Sequence, residues 1–284
     1  LLITGTLFNI VEKLMKNLLE ESKVNFQFES DSYQVRFAES QDEILQAQAL
    51  RYHVFYELMG ATPSPENALS KCDFDRFDPI CDHLLVIDKN KPDAKKVVGN
   101  YRLLCAPKNS EPDFFYSHCE YDLTPFTDRA KEHNLSLMEL GRSCVHPDYR
   151  NNPIVIQLLW RGLTTYAVQN NIDLLFGCAS FADIDQNNLQ KVLSYLHHKK
   201  SAPPHWRVSA LPELYQKMNY IDITPENERE ILQAMPPLIK GYLRLGAWIG
   251  DGAVVDKQFG TTDVLITLPL ANIPKRYIDF FTRS

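Results

Sequence analysis

Residues 139–155 read ELGRSCVHPDYRNNPIV: a strand that runs into a short basic turn and then a helix. The strand begins a little earlier, at LMELGRSCV (137–145). The helix is announced by Asn152, placed to cap it, and by Pro153 in its first turn, where a missing N–H costs nothing. The turn between them holds Arg150, Asn151 and Asn152 and no glycine. In a regular strand Glu139 and Gly141 face one side and Leu140 and Arg142 the other. A direct Glu139–Arg142 pair therefore requires a bulge or twist, and the same bulge would free a backbone N–H.

Outward from this stretch the pattern is mixed α/β. YQVRFA (33–38) alternates as a short strand, and DEILQAQALRYHVFYELMG (42–60) has helical spacing with a glycine at its end. An acidic, proline-punctuated loop fills 60–82, followed by strands at DHLLVID (82–88) and VVGNYRLLC (97–105). Residues 106–135 show no regular pattern. The helix PIVIQLLWRGLTTYAVQNN (153–171) follows the turn, and the wholly apolar IDLLFGCAS (172–180) predicts a central strand. A helix at QNNLQKVLSYLHHKK (186–200), another at PPLIKGYLRLGAWIG (236–250) and a last strand at TDVLITLPL (262–270) complete the chain. The expected division is an N-terminal amphipathic segment, 1–32, and one domain, 33–284. In the former, Leu7, Ile10, Val11, Leu14, Met15, Leu18 and Leu19 follow helical spacing with Lys13 and Lys16 interleaved, which suits docking on the domain or lying on a membrane.

Bulk composition narrows the function. The 284 residues are 44% hydrophobic and 23% charged, with a net charge of −6. That charge argues against nucleic acid as the main ligand. Six cysteines with no C-x-x-C pair give no reason to expect a metal. Cys144 and Cys178 sit in apolar runs and read as inert buried thiols. No run approaches the ~20 apolar residues of a membrane span. There is no G-x-S-x-G elbow, phosphate loop, dinucleotide glycine fingerprint or H-E-x-x-H.

RYHVF (51–55), DRFD (75–78), GNYRLL (99–104) and ELGR (139–142) occur in the order and spacing of the acyl-homoserine-lactone synthases, which are GNAT-like. A closer resemblance runs from about residue 33 onward, through RYHVFYELMGA, ELGRSCVHPDYR, LFGCASF, APPHWRVSALP and the long block 236–265. It is to the ornithine-acyl carrier protein N-acyltransferases, a group often called hemolysin-like. The resemblance implies an α/β GNAT-like acyltransferase fold, a mixed central sheet flanked by helices, with a C-terminal extension. It implies transfer of a long-chain 3-hydroxyacyl group from the phosphopantetheine arm of acyl carrier protein to the α-amine of ornithine, with no tightly bound cofactor. Acylation of another amino acid such as glycine, and a non-enzymatic membrane-active or lipid-binding protein, are the alternatives.

Such a reaction needs a neutral amine, from a group whose reference pKa is about 8, and a donor for the tetrahedral oxyanion. Glu139, Arg142 and His146 are the expected catalytic residues, with Glu139 accepting or orienting the amine's proton. Arg51, Asp75, Asp78 and Arg102 are expected at the acceptor, with Asp251, Asp256 and Asp263 as further candidates for a basic side chain. Phe55, Val145, Arg150, Asn151 and Asn152 are expected along the acyl and pantetheine path. The glycine-free turn suits one phosphodiester better than the pyrophosphate of coenzyme A. Lys199, Lys200 and Arg207 are expected to dock the acidic carrier. Expected localisation is cytoplasmic, with peripheral contact on the inner face of the membrane through helix 236–250 (Lys240, Arg244).

Overall fold

A computed structural model describes residues 26–282, and within them the apolar and alternating stretches become strands. These are β1 (Gln27–Glu29), β2 (Tyr33–Phe37), β3 (Asp82–Asp88), β4 (Val97–Cys105), β5 (Tyr121–Asp122) and β6 (Leu137–Val145). They continue with β7 (Leu174–Phe181), β8 (Ser209–Ala210), β9 (Tyr215–Gln216), β10 (Trp248–Ile249), β11 (Ala253–Asp256) and β12 (Thr261–Pro269). The helices are α1 (Gln41–Tyr52), α2 (Pro65–Ser70), α3 (Thr124–His133), α4 (Pro153–Gln169), α5 (Gln186–Lys200), α6 (Pro225–Ala234), α7 (Pro237–Arg244) and α8 (Lys275–Thr282). Most of the expected amphipathic segment, residues 1–25, lies outside the described residues.

The main sheet runs β1-β2-β3-β4-β6-β7-β12-β11-β9, with β10 joined to β12. Every neighbouring pair is antiparallel except β6 and β7. Helices cover both faces, and the alternation of β3 shows how. Leu84 and Val86 pack with Val155, Leu159 and Leu163 of α4, whereas Leu85 and Ile87 pack with Ala47 and Leu50 of α1. Each face removes large apolar side chains from water, at about 25 cal/mol per Å² buried. Among the described residues no helix is long and apolar enough to cross a membrane.

Three departures from the sequence pattern bear on the site. The helix predicted over 42–60 is α-helical only to Tyr52 and continues as a π-turn, His53–Leu58. Such a widened turn re-aims the side chains after it. The helix predicted over 236–250 stops at Arg244; Gly246, at φ +94, turns the chain into β10. The C-terminal block is thus woven into the sheet. The unpatterned 106–135 region contains α3 and, ahead of it, a 3-10 turn at Tyr116–Cys119.

Candidate active site

The site begins where β6 and β7 part. They pair only from Leu137–Leu174 to Glu139–Phe176. Beyond that β7 stays with β12 to Phe181 and β6 stays with β4 to Val145, so a wedge opens between them. Gly177 stands at the fork, where a Cβ would lie 2.2 Å from the Leu140 carbonyl oxygen. The wedge widens into a cleft of about 330 Å³ lined by Glu139 through Val145 of β6, Cys178–Ser180 of β7, Phe55, Leu238 and Phe259, among others.

Within β6 the register against β4 slips between Asn100 and Arg102. Arg142 and Ser143 together face Tyr101, and Arg142 takes φ +51, a left-handed conformation rare outside glycine. This is a β-bulge, anchored by a hydrogen bond from Asn100 Nδ2 to the Arg142 carbonyl (3.0 Å). It turns the Arg142 guanidinium between the rings of Tyr116 and Phe259, 4.9 Å from each.

Three arginines meet three aspartates under one side of the cleft. Arg51, wholly buried, donates to Asp73 Oδ2 at 2.7 Å and to Asp78 Oδ1 at 2.6 Å. Arg102 donates to Asp75 (2.7 Å) and Asp78 (2.9 Å), and Arg142 to Asp73 and Asp75, both at 3.3 Å. Burial alone would raise the pKa of Asp73 and Asp78. Arg142 and Arg51 beside Asp73, and Arg51 and Arg102 beside Asp78, reverse this and hold both below the usual range. Away from the cleft, the Arg36 guanidinium bonds Glu43 at 2.7 and 2.8 Å and holds it at about 2.

Carboxylates depressed on folding contribute stability that is whole above their unfolded pKa and lost as pH falls through the folded one. We therefore expect these carboxylates to contribute a level share of the urea midpoint through the neutral range, while Glu120 and Asp263, whose pKa values folding raises, add to the midpoint as pH falls from about 7. The share of the depressed carboxylates should decline from about pH 4, the unfolded carboxyl value, and keep falling toward pH 2. Denaturation curves followed by circular dichroism would check this; a midpoint level down to pH 3 would contradict it.

Glu139 is buried and forms an ion pair with neither Arg102 nor Arg142. Its carboxylate accepts from the backbone N–H of Tyr116 and of Ser117, both at 2.7 Å, and from the Ser117 hydroxyl. Burial raises its pKa, against the opposing effect of the Ser117 and Tyr116 donors. On the other side of the cleft, Asp256 and Asp263 stand in its wall and, with Glu120, bring carboxylate oxygens within 4.8 Å of one another. None of the three forms an ion pair among the described residues. Burial, then Asp263, lifts Glu120 to about 7, and burial lifts Asp263 to about 6. The Cys178 thiol, driven well above its ordinary value by burial and by Glu120, is no nucleophile.

Of the residues expected from sequence, Glu139, Arg142, Arg102, Phe55, Val145 and Arg150 line the cleft. Arg51, Asp75 and Asp78 lie behind it in the ion-pair network. His146 is outside the lining; its Nδ1 accepts from the Asp148 N–H at 3.3 Å and its ring faces His53. Asn152 caps α4 through Ile154 N (3.1 Å), and Asn151 is exposed beside it. Lys199 and Arg207 are exposed near the C-terminal end of α5, with Lys200 half-buried, and none of them reaches the cleft. Asp251 accepts from Tyr215 (3.3 Å), away from the cleft.

Sequence patterns passed over Asp73, Tyr116, Ser117, Glu120 and Phe259. Asp73 had a signal, since it precedes Asp75 and Asp78 in CDFDRFD (72–78). Tyr116, Ser117 and Glu120 lie in irregular chain, where no period marks a residue. Phe259 is brought over Phe55 and Tyr56 only by the β11–β12 turn (ring centroids 5.8 and 5.9 Å).

A family model described as an acetyltransferase (GNAT) domain matches residues 50–161. The chain is 46% identical over 252 residues to the L-ornithine N(alpha)-acyltransferase of Brucella abortus (strain 2308), covering 88% of this chain and 89% of that one. It is 46% identical over 250 residues to the protein of the same name from Rhizobium meliloti (strain 1021), covering 87% and 83%. Among solved structures, FeeM, an N-acyl amino acid synthase from uncultured soil microbes, is similar with a TM-score of 0.44 and 12% identity, over 87% of this chain and 93% of that one.

Proposed function

This chain belongs to the L-ornithine N(alpha)-acyltransferases, and from that premise we propose that its cleft acylates the α-amine of ornithine with a long-chain (3-hydroxy)acyl group carried on acyl carrier protein. The product is a lyso-ornithine lipid. One observation carries the choice of acceptor. Arg51, Arg102 and Arg142 are already matched by Asp73, Asp75 and Asp78, while among the described residues Asp256, Asp263 and Glu120 form no ion pair. That surplus of negative charge suits an acceptor with two ammonium groups and is ill matched to glycine, which has one.

The donor side follows from the wedge and the turn after it. The β6 edge beyond Glu139, left without a β7 partner, can meet an extended pantetheine arm with backbone groups. A helix N-terminus favours a phosphate, and here α4 begins beside Arg150. Pro153 removes one N–H, and Pro147 and Tyr149 stiffen the approach as a 3-10 turn. A single phosphodiester asks less of this loop than a pyrophosphate does, which supports a carrier protein over free coenzyme A. Lys199, Lys200 and Arg207 are the docking residues for that acidic carrier. The acyl chain lies among Phe55, Met59, Leu104, Leu238 and Phe259. On α7, Leu238 borders the cleft, and Lys240 and Arg244, four residues apart, share a helix face that suits peripheral contact with an anionic membrane.

The proposal is tested by expressing the chain in a bacterial host that makes no such lipid and analysing the extract by mass spectrometry. A new N-(3-hydroxyacyl)ornithine is expected. An acylglycine would replace the acceptor, and the absence of any new amide would refute the activity.

A further inference from the structure

Glu120 is a buried carboxylate that the account above counts only for its charge, as part of the acceptor's surroundings. It follows directly on the Tyr116–Cys119 turn. Its Oε2 accepts from the Cys178 thiol at 3.2 Å, and no other side chain among the described residues hydrogen-bonds to its carboxylate. Asp263 on β12 and Asp256 on β11, both in the cleft wall, face it.

Glu139 is differently placed. Three donors already occupy its oxygens, the Ser117 N–H and hydroxyl on Oε1 and the Tyr116 N–H on Oε2, and the two backbone groups cannot turn away; of about four acceptor sites on a carboxylate one is left. A proton acceptor needs a lone pair directed at the proton it takes. What Glu139 does hold is the start of the turn that presents Glu120. By contrast, oxygens within 4.8 Å of each other can both contact one nitrogen at about 3 Å. An amine seated against Asp263 in the cleft wall is therefore within hydrogen-bonding range of Glu120, which stands directly behind that wall.

We propose that Glu120 takes the proton from the attacking amine, and that Glu139 is a positioning residue that fixes Glu120 through the 116–117 backbone. This rests on N-acyl transfer as proposed above. The amine nitrogen forms a C–N bond at the thioester carbonyl and the C–S bond breaks. The proton lost by nitrogen goes to the Glu120 carboxylate and from there to the departing pantetheine thiolate, so Glu120 ends the cycle as it began it. A group shuttling a proton in both directions works best with a pKa close to the working pH. Burial, Asp263, Asp256 and Glu139 together raise Glu120 to about 7, against the opposing thiol of Cys178. The phenols of Tyr116 and Tyr121 border the same space, and the Arg142 guanidinium, whose charge acts on Asp263, is held by Asp73 and Asp75.

The test is the pH dependence of amide formation at saturating ornithine and acyl-carrier protein, for the full chain and three variants. In the wild type kcat should rise with pH through a step near 7, where Glu120 ionises. Glu120→Gln should lower kcat by about 10²–10⁴-fold and abolish the step. Glu139→Gln should slow turnover yet keep the step, at lower pH, because one charge facing Glu120 is gone. Asp263→Asn should shift the step down for the same reason. Should Glu120→Gln fail to fold, the Asp263→Asn midpoint decides, an unmoved step overturning the proposal. A step retained in Glu120→Gln, or lost in Glu139→Gln, also overturns it. Wild-type protein that makes no acylornithine at any pH would instead refute the activity itself.

Discussion

Arg51→Met is expected to cost about 3–5 kcal/mol of unfolding free energy, the typical loss when one partner of a buried ion pair is removed. Methionine fills much of the same space, so packing is largely kept. What remains is Asp73 and Asp78, both buried, each having lost its shortest cationic contact. Asp73 keeps Tyr56 (3.0 Å) and Arg142 (3.3 Å), and Asp78 keeps Arg102 (2.9 Å), so the loss should be large without being total. Arg51→Lys retains the charge but not the fork that reaches two carboxylates, and should fall in between. Urea denaturation of the three proteins checks the order; a Met variant within 1 kcal/mol of wild type would show that the network is dispensable.

Gly177→Val should disable acyl transfer more than its size suggests. A Cβ there sits 2.2 Å from the Leu140 carbonyl oxygen, and that neighbour is backbone, which no rotamer change can move aside. The strands must separate lower down or twist, and the wedge is the surface proposed above to align the thioester. Overpacking of this kind costs about 1–3 kcal/mol in stability, and a 1 Å misplacement of reacting groups can cost about 100-fold in rate. Gly141→Ala is the comparison, since its Cβ would meet only Arg102 Nε at 4.0 Å. Its stability should be unchanged or raised by about 0.4–1 kcal/mol. Single-turnover amide formation and denaturation midpoints, measured on both variants, separate the two effects.

Much of the scaffold was legible because its signals are local. LMELGRSCV coincides with β6, VVGNYRLLC with β4 and QNNLQKVLSYLHHKK with α5, each bounded by its own turn chemistry. Asn152 and Pro153 start α4 as expected. The GNAT layout and the acyltransferase chemistry were likewise carried by short motifs, which bring Phe55, Arg102, Glu139 and Arg142 to the cleft. What stayed hidden depends on contacts distant in sequence. The bulge at Arg142 is set by its register against β4 and by Asn100, which the strand's own pattern does not contain. Asp78 reads as an acidic loop residue until Arg51 and Arg102 are seen to converge on it. Glu120 stands in irregular chain, so only its distance from Asp263, 143 positions later, gives it meaning.

The last strand of the chain occupies an interior place in the sheet. β12 lies between β7 and β11, and its turn delivers Phe259, Thr261 and Asp263 to a cleft whose other wall is made by residues near position 55. During synthesis the N-terminal strands and α4 can assemble early, but β7 has no antiparallel partner until residues 261–269 arrive. The wedge cannot hold its shape before then. A chain cut short after α7 would expose an unpaired apolar edge, the kind that recruits other chains. Completion of the active site therefore waits on the emergence of β12, and nascent chains should neither bind acyl carrier nor turn over before that strand is in place.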